Sequence, residues 1–326
     1  MAEETFTITA EQAGLTLAAW LRSRLPGHSW SQVRRLIETR QVRIGADLCL
    51  DPARRLREGE AVTLLGQSAP PPRQHEAIVV RYLDQHLVVA EKPSGLATVR
   101  HPAERDFPER RKALTPVLDE ILPRLIARQE GRARKGPLPR LRVVQRLDKD
   151  TSGLVVFART VEAERGLGRQ FHRHTVVRRY LAIIPGQVSS QRLVSRLVRD
   201  RGDGRRGSTT LPGQGKEAIT HIEVLESFPG YTLLSCRLET GRTHQIRIHL
   251  AELGHPLCGE KVYNHPLGLP LVPDHSGAPR LALHAAELGF SHPVTGQNLH
   301  WTMPLPEDLT AFLDRLRGRT EKLKSS

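Results

Sequence analysis

Between two apolar runs of the chain lies Arg146-Leu147-Asp148-Lys149-Asp150-Thr151-Ser152-Gly153. Asp150 to Gly153 has the composition of a turn, so the residues before it leave the end of an extended segment. Alternation along that segment puts Arg146 and Asp148 on one side and Leu147 on the other. A carboxylate and a guanidinium thus share a surface beside a tight turn. An ionised carboxylate there can serve as nucleophile or base; the same pair also reads as a solvated surface ion pair worth little. Other groups carry less. His172-Arg173-His174 and the His244/His249 pair match no zinc spacing and have no acidic ligands beside them, so no metal is expected. Gly202-Asp203-Gly204 and Gly213-Gln214-Gly215 lack the G-K-[ST] of a phosphate loop, and no G-x-S-x-G elbow occurs. Cys49, Cys236 and Cys258 are too far apart for a disulfide framework or a cysteine zinc site.

Composition narrows the class. The 326 residues hold 49 Lys+Arg against 35 Asp+Glu, a net charge of +14, with 38% hydrophobic and 26% charged residues. That balance suits a globular chain with a real core. Only eight of the cations are lysines, a ratio that codon bias explains better than function does. The net excess still calls for a polyanionic partner or a role in solubility. No run approaches the ~18 apolar residues of a membrane span, and Met1-Ala2-Glu3-Glu4 is acidic where a secretory signal is basic, so a cytoplasmic protein with no membrane partner is expected.

The elements that position these residues fall into two groups. From about 5 to 66, Leu15, Leu17, Ala18, Trp20, Leu21 and Leu25 form a helical stripe ending at Pro26-Gly27. Ser31 sits as the N-cap of a second helix through Val33, Leu36 and Ile37. Strands at 41–44 and 61–65 follow. The second helix is basic through Arg34, Arg35 and Arg40, and Arg43 follows. Three consecutive prolines, Pro70-Pro71-Pro72, mark a stiff linker over 68–75. Beyond it, 78–82 and 87–90 read as a hairpin, and 143–144 and 154–157 as further strands. Helices are expected at Thr115–Leu122, where Thr115 caps and Pro116 opens, at Val161–Phe171 and at Pro306–Leu316. No βαβα order appears, so the fold class is α+β around a largely antiparallel sheet. Arg124–Arg142 and Arg199–Gly215, rich in Gly and Arg, read as mobile loops.

Two resemblances sharpen this reading. The first segment, through Ser29-Trp30-Ser31, Val33-Arg34-Arg35-Leu36-Ile37, Val42-Arg43-Ile44-Gly45 and Leu56 to Val62, resembles an S4-type RNA-binding domain. The Arg146–Ala158 stretch resembles the catalytic motif of the RluA-type RNA pseudouridine synthases, in which the aspartate after Arg-Leu is essential; that role falls on Asp148. Gln145 stands where the family usually has His. Glu91-Lys92-Pro93-Ser94-Gly95-Leu96, Arg178-Arg179-Tyr180-Leu181-Ala182 and Leu238 to His249 resemble the other family motifs, in order.

The resemblance implies a mixed, largely antiparallel sheet with flanking helices over 76–318, a small N-terminal α/β S4-like domain over 1–67, and a basic tail at 319–326. It implies isomerisation of uridine in structured RNA, with no cofactor. Asp148 is the catalytic group, Tyr180 a platform for the flipped base, and Arg146 a filler of the gap left in the stack. Arg242 pairs with Asp148, Thr243 caps the helix that follows, and Ile246 walls the pocket, with Ile248 a further candidate. Arg34, Arg35 and Arg43 contact RNA phosphates. Ribosomal RNA of the large subunit is the favoured target and a monomer the expected state. Transfer RNA, a non-catalytic RNA-binding relative and a histidine-based hydrolase are the alternatives.

Overall fold

The computed structural model describes residues 3–45, 47–68, 78–108, 112–113, 115–131, 137–265, 268 and 270–324. The chain divides into two compact units, Met1–Ala77 and Ile78–Ser326. Apart from Ser68, the proline-rich linker lies outside the described residues.

In the first unit, strands β1 (Glu4–Thr7), β2 (Val42–Ile44), β3 (Asp47–Leu48) and β4 (Ala61–Leu64) form an antiparallel sheet in the order β1-β4-β2-β3. Helices α1 (Leu17–Arg24) and α2 (Trp30–Glu38) pack on it through Leu17, Trp20, Leu21, Val33 and Ile37. The sequence reading missed β1, a short and mostly exposed edge strand. It also misplaced the α2 cap. Ser29 is the N-cap, because Gln32 closes a reciprocal capping box with it: Ser29 Oγ accepts from the Gln32 amide at 3.3 Å, and Gln32 Oε1 accepts from the Ser29 amide at 2.6 Å.

The second unit is built on strands β5 (Val80–Leu83), β6 (Leu87–Lys92), β7 (Arg142–Val143), β8 (Ser152–Ala158), β9 (Val177–Pro185), β10 (Gln191–Val198), β11 (Gly207–Ser208), β12 (Lys216–Phe228), β13 (Tyr231–Leu238), β14 (Leu283–Ser291) and β15 (Asn298–Thr302). They join in one sheet, β11-β10-β12-β13-β9-β14-β8-β6-β5, with β15 on β14 and β7 on β8. Among the described strands only the β14–β8 pairing is parallel. The fold is the expected α+β class, with helices α3 (Leu118–Gln129), α4 (Val161–His172), α5 (Gln245–Glu252) and α6 (Glu307–Lys324).

Burial on both faces explains why β6 and β8 are continuous apolar runs rather than alternating ones. Val88, Ala90, Val155 and Phe157 pack under α3 through Leu118, Leu122 and Ile126. Leu87, Val89, Leu154 and Val156 pack under α4 through Ala163 and Leu167. Farther along the sheet, Ile246 and Leu250 of α5 meet Ala182, Ile184 and Leu234, while Leu309, Phe312 and Leu313 of α6 cover Ile183 and Leu233. The β14–β8 junction depends on a missing side chain: Gly153 has φ +123°, and a Cβ there would lie 2.2 Å from the Ala285 carbonyl oxygen.

Several local expectations are corrected. Helix α3 begins at Leu118, not Thr115, because Val117 bridges Ala97 in an extended conformation and the Leu118 and Asp119 amides donate to the carbonyls of Ala97 and Thr98. Its span makes 124–129 helical rather than loop. Arg199–Gly215 also carries local structure: Asp200 Oδ1 accepts from the amides of Gly202 and Gly204, and β11 pairs with β10. The C-terminal segment continues α6 to Lys324 instead of leaving it as a tail.

Candidate active site

Asp148 stands in the turn that leads into β8, and its backbone is gripped from the side. Thr98 Oγ1 donates to the Leu147 carbonyl at 2.7 Å and accepts from its amide at 3.1 Å. The fully buried Lys92 donates to the carbonyls of Pro93, Leu96 and Lys149 at 2.9, 2.7 and 3.0 Å. Ser94 Oγ donates to the Asp150 carbonyl, and the Gly95 amide to that of Lys149. The Lys92–Gly95 turn therefore clasps the loop that carries Asp148, which explains why both motifs stand in one sequence. Burial pushes Lys92 down to about 7, although Asp148 and Asp150 favour its charged form.

The Asp148 carboxylate faces a cavity of about 400 Å³. Gln145, Arg146 and Thr151 come to it from the same loop, Phe171, His172, His174, Arg178 and Tyr180 from the end of α4 and β9, and Gly241, Arg242 and His244 to Arg247 from the start of α5. Two side chains approach Asp148 at 3.7 Å: Arg247 Nη1 at Oδ2 and His244 Nε2 at Oδ1. Arg247 orients the carboxylate by charge from more than hydrogen-bond length, and the Asp148 lone pairs stay open to the cavity.

Arg247 is itself fixed. Its Nε and Nη2 donate to Glu260 at 2.8 and 2.6 Å, both side chains being buried, and its guanidinium lies 5.3 Å from the Tyr263 ring centre. Glu260 Oε1 also accepts from the amides of Lys261, Val262 and Tyr263. Burial disfavours charge on either group, but the pairing outweighs it, holding Arg247 above and Glu260 below their ordinary values. His244 caps α5 with φ 59°, a left-handed conformation uncommon outside glycine. Its Nδ1 is 2.7 Å from the Tyr263 hydroxyl, and burial pushes its pKa down against the pull of Asp148.

Tyr180 presents its ring to the cavity from the middle of the sheet, where β9 runs between β13 and β14. Burial, helped by Asp148 and opposed by Arg178, raises its hydroxyl to about 12, so it stays protonated. Arg178 runs beneath Gly241, where a Cβ would lie 2.5 Å from Nη1, and donates to the Glu239 carbonyl at 3.0 Å.

The structure brings Arg146, Asp148, Tyr180, Arg242 and Ile246 to one cavity, with Arg146 exposed at its wall. It does not pair Arg242 with Asp148. Arg242 Nε donates to the Glu217 carbonyl at 2.9 Å, and Arg247, one turn farther on, takes the position beside the carboxylate. Thr243 is not the cap of α5; His244 is, and the Gln245 side chain accepts from the Arg242 amide. Ile248 packs in the core with Leu197 and Ala218, away from the cavity. His249 bridges Thr220 and Ser195. Arg34 and Arg35 lie exposed on α2, and Arg43 on β2 is partly buried. The sequence reading missed Arg247, Glu260, Tyr263 and Thr98. One signal was available: an arginine between Ile246 and Ile248 on a short apolar helix needs a buried counter-charge.

Comparison with known proteins places the chain among enzymes of one family. Residues 86–252 match the family model described as RNA pseudouridylate synthase. A Nitrosomonas europaea protein named ribosomal large subunit pseudouridine synthase D is 36% identical over 96% of this chain and 87% of its own. Proteins of the same name from Zymomonas mobilis and Escherichia coli O157:H7 are 34% and 32% identical, covering 97% and 98% of this chain and 98% and 96% of theirs. Among solved structures, human RNA pseudouridylate synthase domain containing 4 is similar in fold, with TM-score 0.57 and 24% identity over 73% of this chain and 92% of that one. The match extends over the strands, turn and helix that carry Asp148, Tyr180 and Arg247, and the chain belongs to the RNA pseudouridylate synthase family.

Proposed function

We propose that the chain converts uridine to pseudouridine in large-subunit ribosomal RNA, with Asp148 as the catalytic group. The conversion breaks the bond from uracil N1 to ribose C1′, turns the base, and joins C5 to C1′. A stacked base is out of reach, so the uridine is flipped into the cavity. The observation that carries this reading is the Asp148 carboxylate, aimed by Arg247 and His244 yet free of hydrogen bonds among the described residues. It meets the sugar as a nucleophile on C1′ or as a base at C2′, and both routes use the ionised form. Tyr180 offers its ring to the flipped uracil, and Arg146, exposed at the cavity wall, takes the space the base leaves in the stack.

Large-subunit ribosomal RNA is supported by the names of the relatives, which match along almost the whole chain. The first unit acts as an S4-like anchor, with Arg34, Arg35 and Arg43 on phosphates; its small sheet under two helices and the exposed Arg34 and Arg35 support that role. The test maps pseudouridine in ribosomal RNA from cells lacking the gene. A site should disappear, return with the wild-type gene, and stay absent with Asp148→Asn. Restoration by the Asn variant would end the assignment of Asp148, and loss of a site in transfer RNA alone would end the ribosomal reading.

A further inference from the structure

Outside the cavity, one face of α4 has the character of a binding surface. Arg165, Arg169 and Arg173 follow one another a turn apart, all exposed, and none forms an ion pair among the described residues. Like charges at this spacing repel, and the acids of the same helix do not relieve them: Glu162 and Glu164 sit in its first turn, and Glu164 is bound to Arg142 at 2.9 Å. A helix that keeps such a stripe unneutralised is prepared for an anion.

Gly168 adds a second, independent observation. Glycine in a helix interior lowers stability relative to alanine, and packing usually accounts for it. Gly166 is such a case, since a Cβ there would lie 2.6 Å from Pro293 Cβ. At Gly168 a Cβ would meet nothing within 4 Å. No neighbour in the fold requires this glycine. The bare backbone at Gly168 lies in a shallow, open depression bordered by Arg165, Arg169, His172 and Arg173. His172 also lines the Asp148 cavity, so the two spaces adjoin.

We infer that the α4 groove carries the RNA strand next to the flipped uridine, with the three arginines on successive phosphates and bare backbone at Gly168 admitting the strand closely. Planar guanidinium forks suit phosphate oxygens, and the shared His172 makes a strand that enters the cavity pass this surface. The inference rests on the RNA reading given above and adds the path by which the strand leaves the site.

The test measures the affinity of the full-length protein for a large-subunit ribosomal RNA transcript between 50 and 200 mM salt, alongside pseudouridine formation. Replacing Arg165, Arg169 and Arg173 together by Gln should lower the slope of log affinity against log salt by about 2, so that the affinity ratio of wild type to variant shrinks about 20-fold across that range. The triple Lys variant should keep most of the slope, and rate lost in the Gln variant should return at higher RNA concentration. Gly168→Leu separates binding from folding, because it should raise the melting temperature by about 2–4 °C while weakening RNA binding. An unchanged salt slope in the Gln variant, or wild-type affinity in a well-folded Gly168→Leu, overturns the groove. A wild-type protein that binds the transcript through these residues but forms no pseudouridine in it would instead overturn the proposed function.

Discussion

Replacing Glu260 by Gln probes how Asp148 is kept both oriented and reactive. Glu260 takes two charge-assisted hydrogen bonds from Arg247 and lies with it in a buried site. A carboxamide preserves the shape, but its NH2 sets a donor against a donor and leaves the guanidinium without its counter-charge. Removing one partner of a buried pair costs about 3–5 kcal/mol. Asp148, with an oxygen 3.7 Å from Nη1, becomes the nearest anion, and attraction at that range is about 4 kcal/mol at an effective dielectric of 20. Arg247 should therefore close on Asp148, limiting the stability loss to roughly 3 kcal/mol and occupying the lone pairs that the reaction needs. Breaking a hydrogen bond between charged groups, worth about 1.5–3 kcal/mol, before Asp148 can act would slow the chemical step roughly 10- to 150-fold. Denaturant unfolding gives the first quantity and single-turnover kinetics at saturating RNA the second. A variant that loses less than about 1 kcal/mol and reacts within about twofold of wild type would refute the account of Arg247.

Lys92 gives a pH signature. Its folded value near 7 lies below the ordinary lysine value, so above pH 7 the unfolded chain holds the extra proton and stability rises with pH toward about 10.4. The rise is at most about 1.4 kcal/mol per pH unit, and unfolding at pH 7 and pH 9 should show it in wild type but not in Lys92→Met; parallel curves would contradict it. Gly153→Ala should cost more than about 3 kcal/mol or abolish folding, since its Cβ would fall 2.2 Å from the Ala285 oxygen at a φ that side chains avoid; soluble yield and unfolding report this, and near-wild-type stability would count against the β8–β14 geometry. Tyr180→Phe should keep RNA affinity because the ring does the stacking, whereas Tyr180→Ala should lose about 1–3 kcal/mol of binding; equal losses would shift the role to the hydroxyl.

The turn holding Asp148 was legible because its signals are local: apolar runs on both sides, period-two alternation, and Asp-Thr-Ser-Gly between them. The β5–β6 hairpin and α4, capped by Thr160, were readable for the same reason. What failed depended on distant partners. Thr115-Pro116 has the composition of a helix start, but a bridge from Val117 to Ala97 keeps Val117 extended and delays the helix to Leu118. Ser31 is the expected cap of α2, but the reciprocal bonds between Ser29 and Gln32 make Ser29 the cap. The insertion of β14 between β9 and β8 joins segments far apart in the chain, and no local pattern announces it. The same holds at the site. Arg242 and Arg247 stand on one motif, and which reaches Asp148 is decided by the left-handed turn at His244 and by Glu260.

The most direct test of the central claim uses RNA carrying tritium at uridine C5, because joining C5 to C1′ expels that hydrogen. Purified wild-type protein should release tritium from the transcript under single-turnover conditions, and Asp148→Asn should release none while binding the same RNA with wild-type affinity. Release by the Asn variant at a rate near wild type would show that the carboxylate facing this cavity does not carry the reaction.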